Sequence, residues 1–273
     1  MERQTHRHER INLREQRGLG GDRGLRCDRA GVERHLYGRR SHPNHRQPCP
    51  PRSHLDLQLH RRLRHRPQRC QQEVVGNYVH DNGLYPTACG YVHGIYFLDV
   101  GGIAYNNLSF RNAGWDIHLW HGASHLVITS NTLFNNLHGA IVVGNDIAGA
   151  DYCVVNNNID YNNARGIFEE GTTGTHNVYR NNLVCQNPPA DISLQNGLSA
   201  TGTVSADPLF VNCTGDSSGD YPLRSNSPAI DGGTNDRTPT KDYAGTARPQ
   251  GSAWDIGAFE YVFSSASAVA RGR

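Results

Sequence analysis

Apolar and polar positions alternate in short runs between about residues 74 and 197, and these runs return at a regular interval. Between them stand pairs of asparagines five residues apart, and the first member of the pair advances by 30, 24, 27 and 24 residues. The pairs are Asn77 and Asn82, Asn107 and Asn112, Asn131 and Asn136, Asn158 and Asn163, and Asn182 and Asn187. A period in this range is typical of solenoids. Short strand-like runs without helical spacing predict stacked coils of parallel β-strand.

The asparagines have two physical reasons to recur. Asparagine adopts left-handed backbone geometry more readily than most residues, which suits a sharp corner between strands. Asparagines at the same corner of successive coils would also lie about 4.8 Å apart and could hydrogen-bond along the stack. We therefore expect ladders of asparagine side chains.

Two long runs of the repeat region and three shorter runs near the C-terminus resemble a known family. GIAYNNLSFRNAGWDIHLW from Gly102 and YCVVNNNIDYNNARGIFEE from Tyr152 resemble the repeats of right-handed parallel β-helix proteins, the pectate-lyase-like superfamily. DPLFVN, SPAIDGGT and DIGAFEY, nearer the C-terminus, are similar to the closing segment of secreted bacterial members. The resemblance implies an all-β, right-handed parallel β-helix, and repeats of 24–30 residues predict six or seven coils. Residues 73–206 would form the coils, residues 207–262 the closing segment and residues 263–273 a loose tail.

The first 72 residues have a different composition from the rest. They carry 18 Arg, no Lys and 7 acidic residues, a net charge of +11, whereas the remainder carries a net charge of −9. They contain one aromatic residue, Tyr37, and show no strand or helix periodicity. Such a segment cannot bury a core, so we predict a disordered basic segment over residues 1–72.

The composition of this segment also suggests its origin. Arg, His, Gln, Pro and Leu, the residues that codons beginning with C can encode, make up 46 of the 72 positions. We interpret residues 1–72 as an out-of-frame translation of earlier coils, so that the β-helix lacks its N-terminal coils. A genuine disordered arm is the alternative. Nucleic-acid binding is not expected, because the arm has no Lys and no interleaved aromatic residues.

The coil strands can be assigned an inner and an outer face. With Ile95, Ile117, Ile141, Ile167 and Ile192 pointing inward, residues at odd offsets from them point outward. This predicts an exposed trough floored by Ala140 and Gly144 and bordered by aromatic residues, a surface that suits a sugar chain. Glu169 would point inward, either with a buried partner or at a bulge. The predicted substrate-binding residues are Tyr96, Asp116, Trp120, Phe168 and Glu170. The alternative is that these rings only stabilise the sheet by cross-strand stacking.

Candidate catalytic residues favour a lyase over a glycoside hydrolase. A hydrolase needs two carboxylates about 5–9.5 Å apart, and Asp116 lies two or more coils from Glu170 and Asp191. A uronate lyase needs a cation and a base, for which Arg165, His118 and His121 are the candidates, with Tyr96 as a further one. Asn145 or Asp146 in the next coil would orient the imidazole of His121. The leading prediction is a protein that binds an acidic polysaccharide. In a further interpretation it also cleaves this polysaccharide by elimination. The alternative is a non-catalytic surface or adhesion solenoid.

The remaining predictions concern cofactors and surroundings. The closing residues resemble the family's motif and are expected to tie loops together by charge-assisted bonds, with a Ca²⁺ site as a second interpretation. These residues are Asp231, Asp242, Arg248, Asp255 and Glu260. No other metal site is predicted. No apolar run reaches the ~18 residues of a membrane span. We expect a monomer that is secreted or held at the cell surface, whose signal peptide would belong to the lost N-terminal part.

Overall fold

Fifteen short strands form three parallel sheets that wind around one axis. The computed structural model describes residues 72–83, 88 and 90–263, so the predictions for residues 1–71 and for the tail beyond residue 263 lie outside the described residues. Each coil contributes one strand to each sheet, and every sheet contains five strands in coil order. All pairings within these sheets are parallel. The described chain contains no α-helix, and the predicted parallel β-helix is confirmed.

The strands are named in chain order. Sheet A consists of β1 (Gln72–Val75), β4 (Val100–Tyr105), β7 (Ser124–Thr129), β10 (Val154–Asn156) and β13 (Val178–Arg180). Sheet B consists of β2 (Tyr78–His80), β5 (Leu108–Phe110), β8 (Thr132–Phe134), β11 (Ile159–Tyr161) and β14 (Leu183–Cys185). Sheet C consists of β3 (Ile95–Phe97), β6 (Trp115–Leu119), β9 (Gly139–Ala150), β12 (Ile167–Thr173) and β15 (Ile192–Ser193). A two-stranded antiparallel sheet follows, made of β16 (Phe210–Asn212) and β17 (Asp220–Leu223).

Two asparagine ladders run along the corners on either side of sheet B. In each step, the backbone N–H and the side-chain Nδ2 of one asparagine both donate to Oδ1 of the asparagine in the next coil. Asn107, for example, donates to Oδ1 of Asn131 at 3.0 and 2.8 Å. The second ladder ends where Asn187 donates in the same way to the carboxylate of Asp191. The ladders satisfy buried groups that would each cost about 1–3 kcal/mol if left unpaired.

The left-handed corner position is occupied by the residue before the ladder asparagine. Asn106 has φ 52° beside Asn107, and Arg111 has φ 55° beside Asn112. At the corresponding corners the left-handed residues are Gly76, Asp81, Ser130, Asn135, Asn157, Asn162, Asn181 and Gln186. The ladder asparagines are therefore retained for their hydrogen bonds, and the sequence-based argument from left-handed geometry applies to their neighbours instead.

Two separate hydrophobic cores hold the molecule together. The inner core fills the solenoid with inward residues of all three sheets, among them Ile117, Ile128 and Leu133. The second core lies between the outer face of sheet B and the segment after Val204. There Phe110, Phe134, Ile159 and Leu183 of sheet B pack against Phe210, Tyr221, Leu223, Ala229 and Ile256. Sheet B is thus buried on both faces, which leaves the outer faces of sheets A and C as surfaces.

The number of coils is lower than the six or seven expected. Five complete layers are present, and a sixth is limited to single bridges from Thr201 to Arg180 and from Val204 to Leu183. After Val204 the chain leaves the solenoid axis and folds back across sheet B. The apolar runs near the C-terminus therefore build the second core rather than further coils.

The closing residues form the predicted network of charge-assisted bonds. Arg248 Nη1 lies 3.1 Å from Glu260 Oε2, and both side chains are completely buried. Asp242 Oδ2 accepts from the backbone N–H of Glu260, and Asp255 Oδ2 accepts from that of Tyr261. Burial raises the pKa of Asp255 to about 7. These contacts fix the loops of the closing segment against one another.

Asn131→Leu tests the ladder. Asn131 Oδ1 accepts two hydrogen bonds from Asn107, and its Nδ2 donates to Asn158 Oδ1. The substitution leaves these buried partners unsatisfied and should lower the free energy of unfolding by about 2–5 kcal/mol. Chemical denaturation measures the change, and Asn226→Ala at an exposed turn should change it by less than about 0.5 kcal/mol. Equal stabilities of the two variants would contradict the role given to the ladder.

Candidate functional site

The outer face of sheet C carries a hollow of about 330 Å³. Aromatic and imidazole side chains dominate its lining. They are Tyr91, His93, Tyr96, Trp115, His118, Trp120, His121 and His138, with Glu170 at the edge. The strand register explains the clustering, because Tyr96 pairs with His118 on neighbouring strands and their rings stack with centroids 4.8 Å apart. The predicted residues Tyr96, His118, Trp120, His121 and Glu170 are therefore brought together.

A short chain of hydrogen bonds sets the proton positions on two of these histidines. The backbone N–H of Trp115 donates to Nδ1 of His93 at 3.2 Å, so the neutral His93 ring carries its proton on Nε2. That nitrogen lies 2.7 Å from Nδ1 of His118. His118 therefore accepts at Nδ1 and, when neutral, carries its own proton on Nε2. In this arrangement His118 acts as a hydrogen-bond donor at Nε2 rather than as a base.

His121 has the opposite arrangement. Its Nδ1 lies 3.0 Å from both carboxylate oxygens of Asp146, so Nδ1 carries the proton and donates to the carboxylate. Nε2 of the neutral ring then holds the lone pair, as a general base requires. Asp146 belongs to the long strand β9, and the pKa of the nearby Tyr96 is raised to about 12 by burial and by the Asp146 charge.

An ion pair borders the other side of the hollow. Arg165 Nη1 lies 3.0 Å from Glu170 Oε1, and both side chains are about one third exposed. The guanidinium carbon of Arg165 lies 5.7 Å from the Trp115 ring centre and 5.8 Å from that of Phe168. Burial and the Arg165 charge lower the pKa of His138, which favours its neutral form. Trp115 thus lies between Arg165 and Phe168 on one side and the other predicted site residues on the other.

The predicted trough between the rings is filled. A Cβ atom added at Gly144 would lie 2.3 Å from the Trp120 ring, and one added at Gly171 would lie 2.9 Å from it. The Trp120 ring therefore lies directly on the glycine backbone, where any side chain would displace it. Ala140, the other predicted floor residue, is completely buried in the inner core. The candidate surface therefore consists of the rings themselves and the hollow between them.

Asp116 does not lie on this surface, which corrects its assignment as a substrate-binding residue. It is completely buried, and its carboxylate accepts hydrogen bonds from the Ser109 hydroxyl and from Asn136 Nδ2. The reason is local: where the chain turns from sheet B into sheet C, Asp116 and Ile117 both point inward. The alternation of inward and outward side chains therefore begins only at Ile117.

The same corner explains which site residues the sequence reasoning missed. Trp115 lies two residues before Ile117, an inward position under strict alternation, yet its ring packs near His138 and Phe168 on the outer side. His93 stands at the equivalent place in the preceding coil. The partner of His121 was anticipated as Asn145 or Asp146 of the next coil, and the structure shows the contact to Asp146. Large residues stand two positions before three of the five isoleucines, namely His93, Trp115 and Arg165, and these were the available signal.

The inward position of Glu169 is confirmed. It is 4% exposed, and its carboxylate accepts hydrogen bonds from Asn177 Nδ2 at 2.8 Å and from the Tyr179 hydroxyl at 2.7 Å. The backbone N–H of Gln195 donates to its second oxygen at 2.7 Å. Of the two alternatives, the buried partner is therefore correct at Glu169 itself.

Two further carboxyl groups lie inside the solenoid. Asp160 is completely buried on strand β11, and neither of its oxygens has a hydrogen-bond partner within the described chain. Burial, with the charges of Asp116 and Asp191, raises the pKa of Asp160 well above its usual value. Burial also raises the pKa of Asp116 to about 7, although its three hydrogen-bond donors oppose the shift. Burial thus favours the protonated form of both Asp160 and Asp116.

Comparison with known proteins adds no further assignment. The chain matches no model of a protein family and no curated protein sequence. Across the part of the chain that the structure describes, no three His, Cys, Asp or Glu side chains are grouped as a metal site. Nor does any helix within the same residues have the length and apolar character needed to cross a membrane.

Asp160→Asn tests the protonation of the interior. Because the pKa of Asp160 is raised in the folded state, folded chains keep a proton that unfolded chains lose above about pH 4. The contribution of Asp160 to stability is therefore full below about pH 4 and is lost as the pH rises. Asparagine does not titrate, so the variant should match the parent near pH 4, and its free energy of unfolding should exceed that of the parent increasingly as the pH rises towards 8.

Urea denaturation between pH 4 and pH 8 measures this difference. Asp220→Asn, at an exposed position of β17, is the matched control and should follow the parent at every pH. A constant offset between the Asp160 variant and the parent across this range would contradict the raised pKa.

Proposed function

We propose that the outer face of sheet C binds an acidic polysaccharide. The observation that carries the proposal is the hollow of about 330 Å³ lined by three kinds of ring, with the Arg165–Glu170 pair at its border. Sugar rings stack their apolar faces on aromatic side chains, and their hydroxyl groups pair with polar neighbours. The size is at the lower end of the range for ligand sites, so it suits one or two units of a longer chain.

Two cationic or hydrogen-bond-donating groups favour an acidic sugar. Arg165 offers a guanidinium that can hold a carboxylate by two parallel bonds, and His118 offers an N–H at Nε2. Glu170 Oε1 accepts a hydrogen bond from Arg165 Nη1 and so occupies one of the guanidinium donors. A uronate carboxylate would therefore compete with Glu170 for the same donor, which makes the affinity sensitive to this side chain.

Eliminative cleavage is a second function that one observation favours. His121, oriented by Asp146, has a nitrogen lone pair suited to remove the proton α to a uronate carboxylate. The electron pair released would form a carbon–carbon double bond as the bond to the β-oxygen breaks, and that oxygen would accept a hydrogen bond from His118 Nε2–H and leave with a proton from solvent. Arg165 would neutralise the carboxylate, whose negative charge increases as the α-proton is removed.

The competing function is a non-catalytic surface solenoid. It is favoured by the ion pair in which Glu170 already balances the charge of Arg165. It is also favoured by the lack of lysine in the coils, since the only lysine of the chain is Lys241 in the closing segment. The burial of Asp116 also removes one carboxylate from any hydrolytic pair with Glu170. Binding and cleavage therefore need separate tests.

Trp120→Ala tests binding. Removing a ring that lies on Gly144 and borders the hollow should weaken the binding of oligogalacturonates several-fold, since a stacked ring contributes on the order of 1 kcal/mol beyond its buried area. Isothermal titration calorimetry measures the affinity, and circular dichroism confirms that the variant keeps its sheet structure. A folded variant that binds as tightly as the parent would remove the proposed site.

Glu170→Gln tests the preference for acidic chains. The substitution keeps the shape of the side chain but releases Arg165 from its ion pair, so affinity for oligogalacturonate should rise about two- to tenfold at low salt. Affinity for a neutral oligosaccharide of the same length should stay constant in the same titration. A parallel rise for both ligands, or for neither, would contradict recognition of a carboxylate by Arg165.

His121→Ala and Asp146→Asn test cleavage. If the parent produces unsaturated uronates, seen by ultraviolet absorbance, the first variant should abolish the product and the second should lower its rate by about 10²–10⁴-fold. Asp151→Asn disrupts a similar exposed pair with His176 on sheet A and should leave the rate unchanged. Absence of product from pectic and alginate-like substrates with the parent would leave the non-catalytic solenoid as the better reading.

A further inference from the structure

Three exposed rings form a stack on the outer face of sheet A, away from the hollow of sheet C. The His125 and Tyr152 ring centres lie 4.9 Å apart, and those of Tyr152 and His176 lie 4.5 Å apart with the planes inclined by only 3°. Asp151 fixes the last ring through His176 Nδ1 at 2.8 Å. The spacing follows the coil repeat of about 4.8 Å. Each coil therefore contributes one ring to the stack.

Two of these rings stand on backbone geometry that side chains seldom adopt. His125 has φ 58° and Tyr152 has φ 57°. A left-handed conformation at a bulky residue is uncommon and has an energetic cost. The equivalent residue of the preceding coil is Gly101, with φ 82°, the residue type that this corner would ordinarily favour.

The stack stops at Gly101. The register places Gly101 beside His125, because Val100 pairs with Ser124 and Gly102 pairs with Leu126. A Cβ atom at Gly101 would meet no heavy atom of the described chain within 4 Å. Next to it lies a hollow of about 290 Å³ that reaches from His125 to Tyr105. Within the described residues, the space for a fourth ring is present and Gly101 supplies no side chain to fill it.

The walls of this hollow combine apolar and charged groups. Ile103 and Val127, paired on neighbouring strands, form an aliphatic floor. Glu73 lines one side, close enough to Tyr105 for its charge, after burial, to raise the pKa of the phenol. Arg237, from the closing segment, lines the same hollow. A carboxylate, a phenol and a guanidinium therefore surround a ring-sized space above apolar side chains.

We infer that this hollow binds one pyranose ring of a glycan, stacked on His125 in the position that Gly101 leaves open. A pyranose has an apolar face for the imidazole and the aliphatic floor, and hydroxyl groups at its rim for Glu73 and Arg237. A purely aromatic ligand would leave these two charged groups without hydrogen-bonding partners on the ligand. The site is separate from the surface of sheet C and does not depend on the function proposed there.

The test uses saturation-transfer NMR with the full chain and two probes, methyl glucopyranoside and methyl galactopyranosiduronate. Gly101→His places the protein's own ring in the open position, in a backbone geometry that His125 already adopts in the next coil. We expect this variant to lower the transfer to the bound methyl glycoside about tenfold without removing any wall of the hollow. Arg237→Gln, which keeps the floor intact, should lower it about threefold.

Asp220→Asn, at an exposed position of β17, is the matched control and should leave this signal unchanged, and Trp120→Ala reports the share of the signal that comes from sheet C. Retention of the signal in Gly101→His together with its loss in Trp120→Ala would place the sugar on sheet C and overturn the inference. Absence of transfer to either glycoside in the folded parent would overturn it as well. Phenol serves as an aromatic probe, and binding of phenol alone, blocked by Gly101→His, would contradict the assignment to a sugar. Thermal unfolding of each variant confirms that the chain is folded.

Discussion

The hydrogen bonds of the two asparagine ladders are the interaction on which the solenoid depends. A coil of about 24–30 residues must turn three times, and each turn leaves backbone donors that no neighbouring strand can satisfy. At the corners beside sheet B, one asparagine oxygen accepts both a backbone and a side-chain N–H from the coil before it. Because the inner residues of each ladder both donate and accept, successive coils keep the same orientation about the axis and the same spacing along it. Side chains at equivalent positions then form columns, which is why both candidate surfaces consist of stacked rings.

Much of the fold could be predicted from the sequence, because its signals are local and repeated. The five-residue spacing of the asparagines marked the two corners beside sheet B, and the isoleucines after them marked the strands of sheet C. These two signals were sufficient to place Tyr96 and His118 in one outward column and Glu169 inside. The extent of the solenoid could not be obtained this way. The apolar runs at Phe210 and Tyr221 resemble further strands of a coil, but their partners lie on the outer face of sheet B.

The candidate site was predicted in part, and the errors have one physical origin. Alternation of side chains is a property of an extended strand, and it does not continue through a corner. Asp116 and Ala140 occupy the last corner position and point inward, whereas Trp115, which directly precedes Asp116, supplies a ring to the outer side. Proton positions were also beyond the sequence. Only the contacts of His93 and Asp146 separate His118, a donor, from His121, a base.

The segment that covers sheet B changes how the coils depend on one another. In an ordinary solenoid each repeat touches only its neighbours, so the array can fray from either end. Here one stretch of chain reaches many coils: Asn106 donates to Lys241 O, Asn157 to Thr234 O and Asn181 to Gly232 O. Coils that never touch each other are thereby cross-linked through sequence separations of 51–135 residues. The array becomes a single cooperative unit, and during synthesis it cannot reach its final stability until the last residues of the closing segment have emerged from the ribosome.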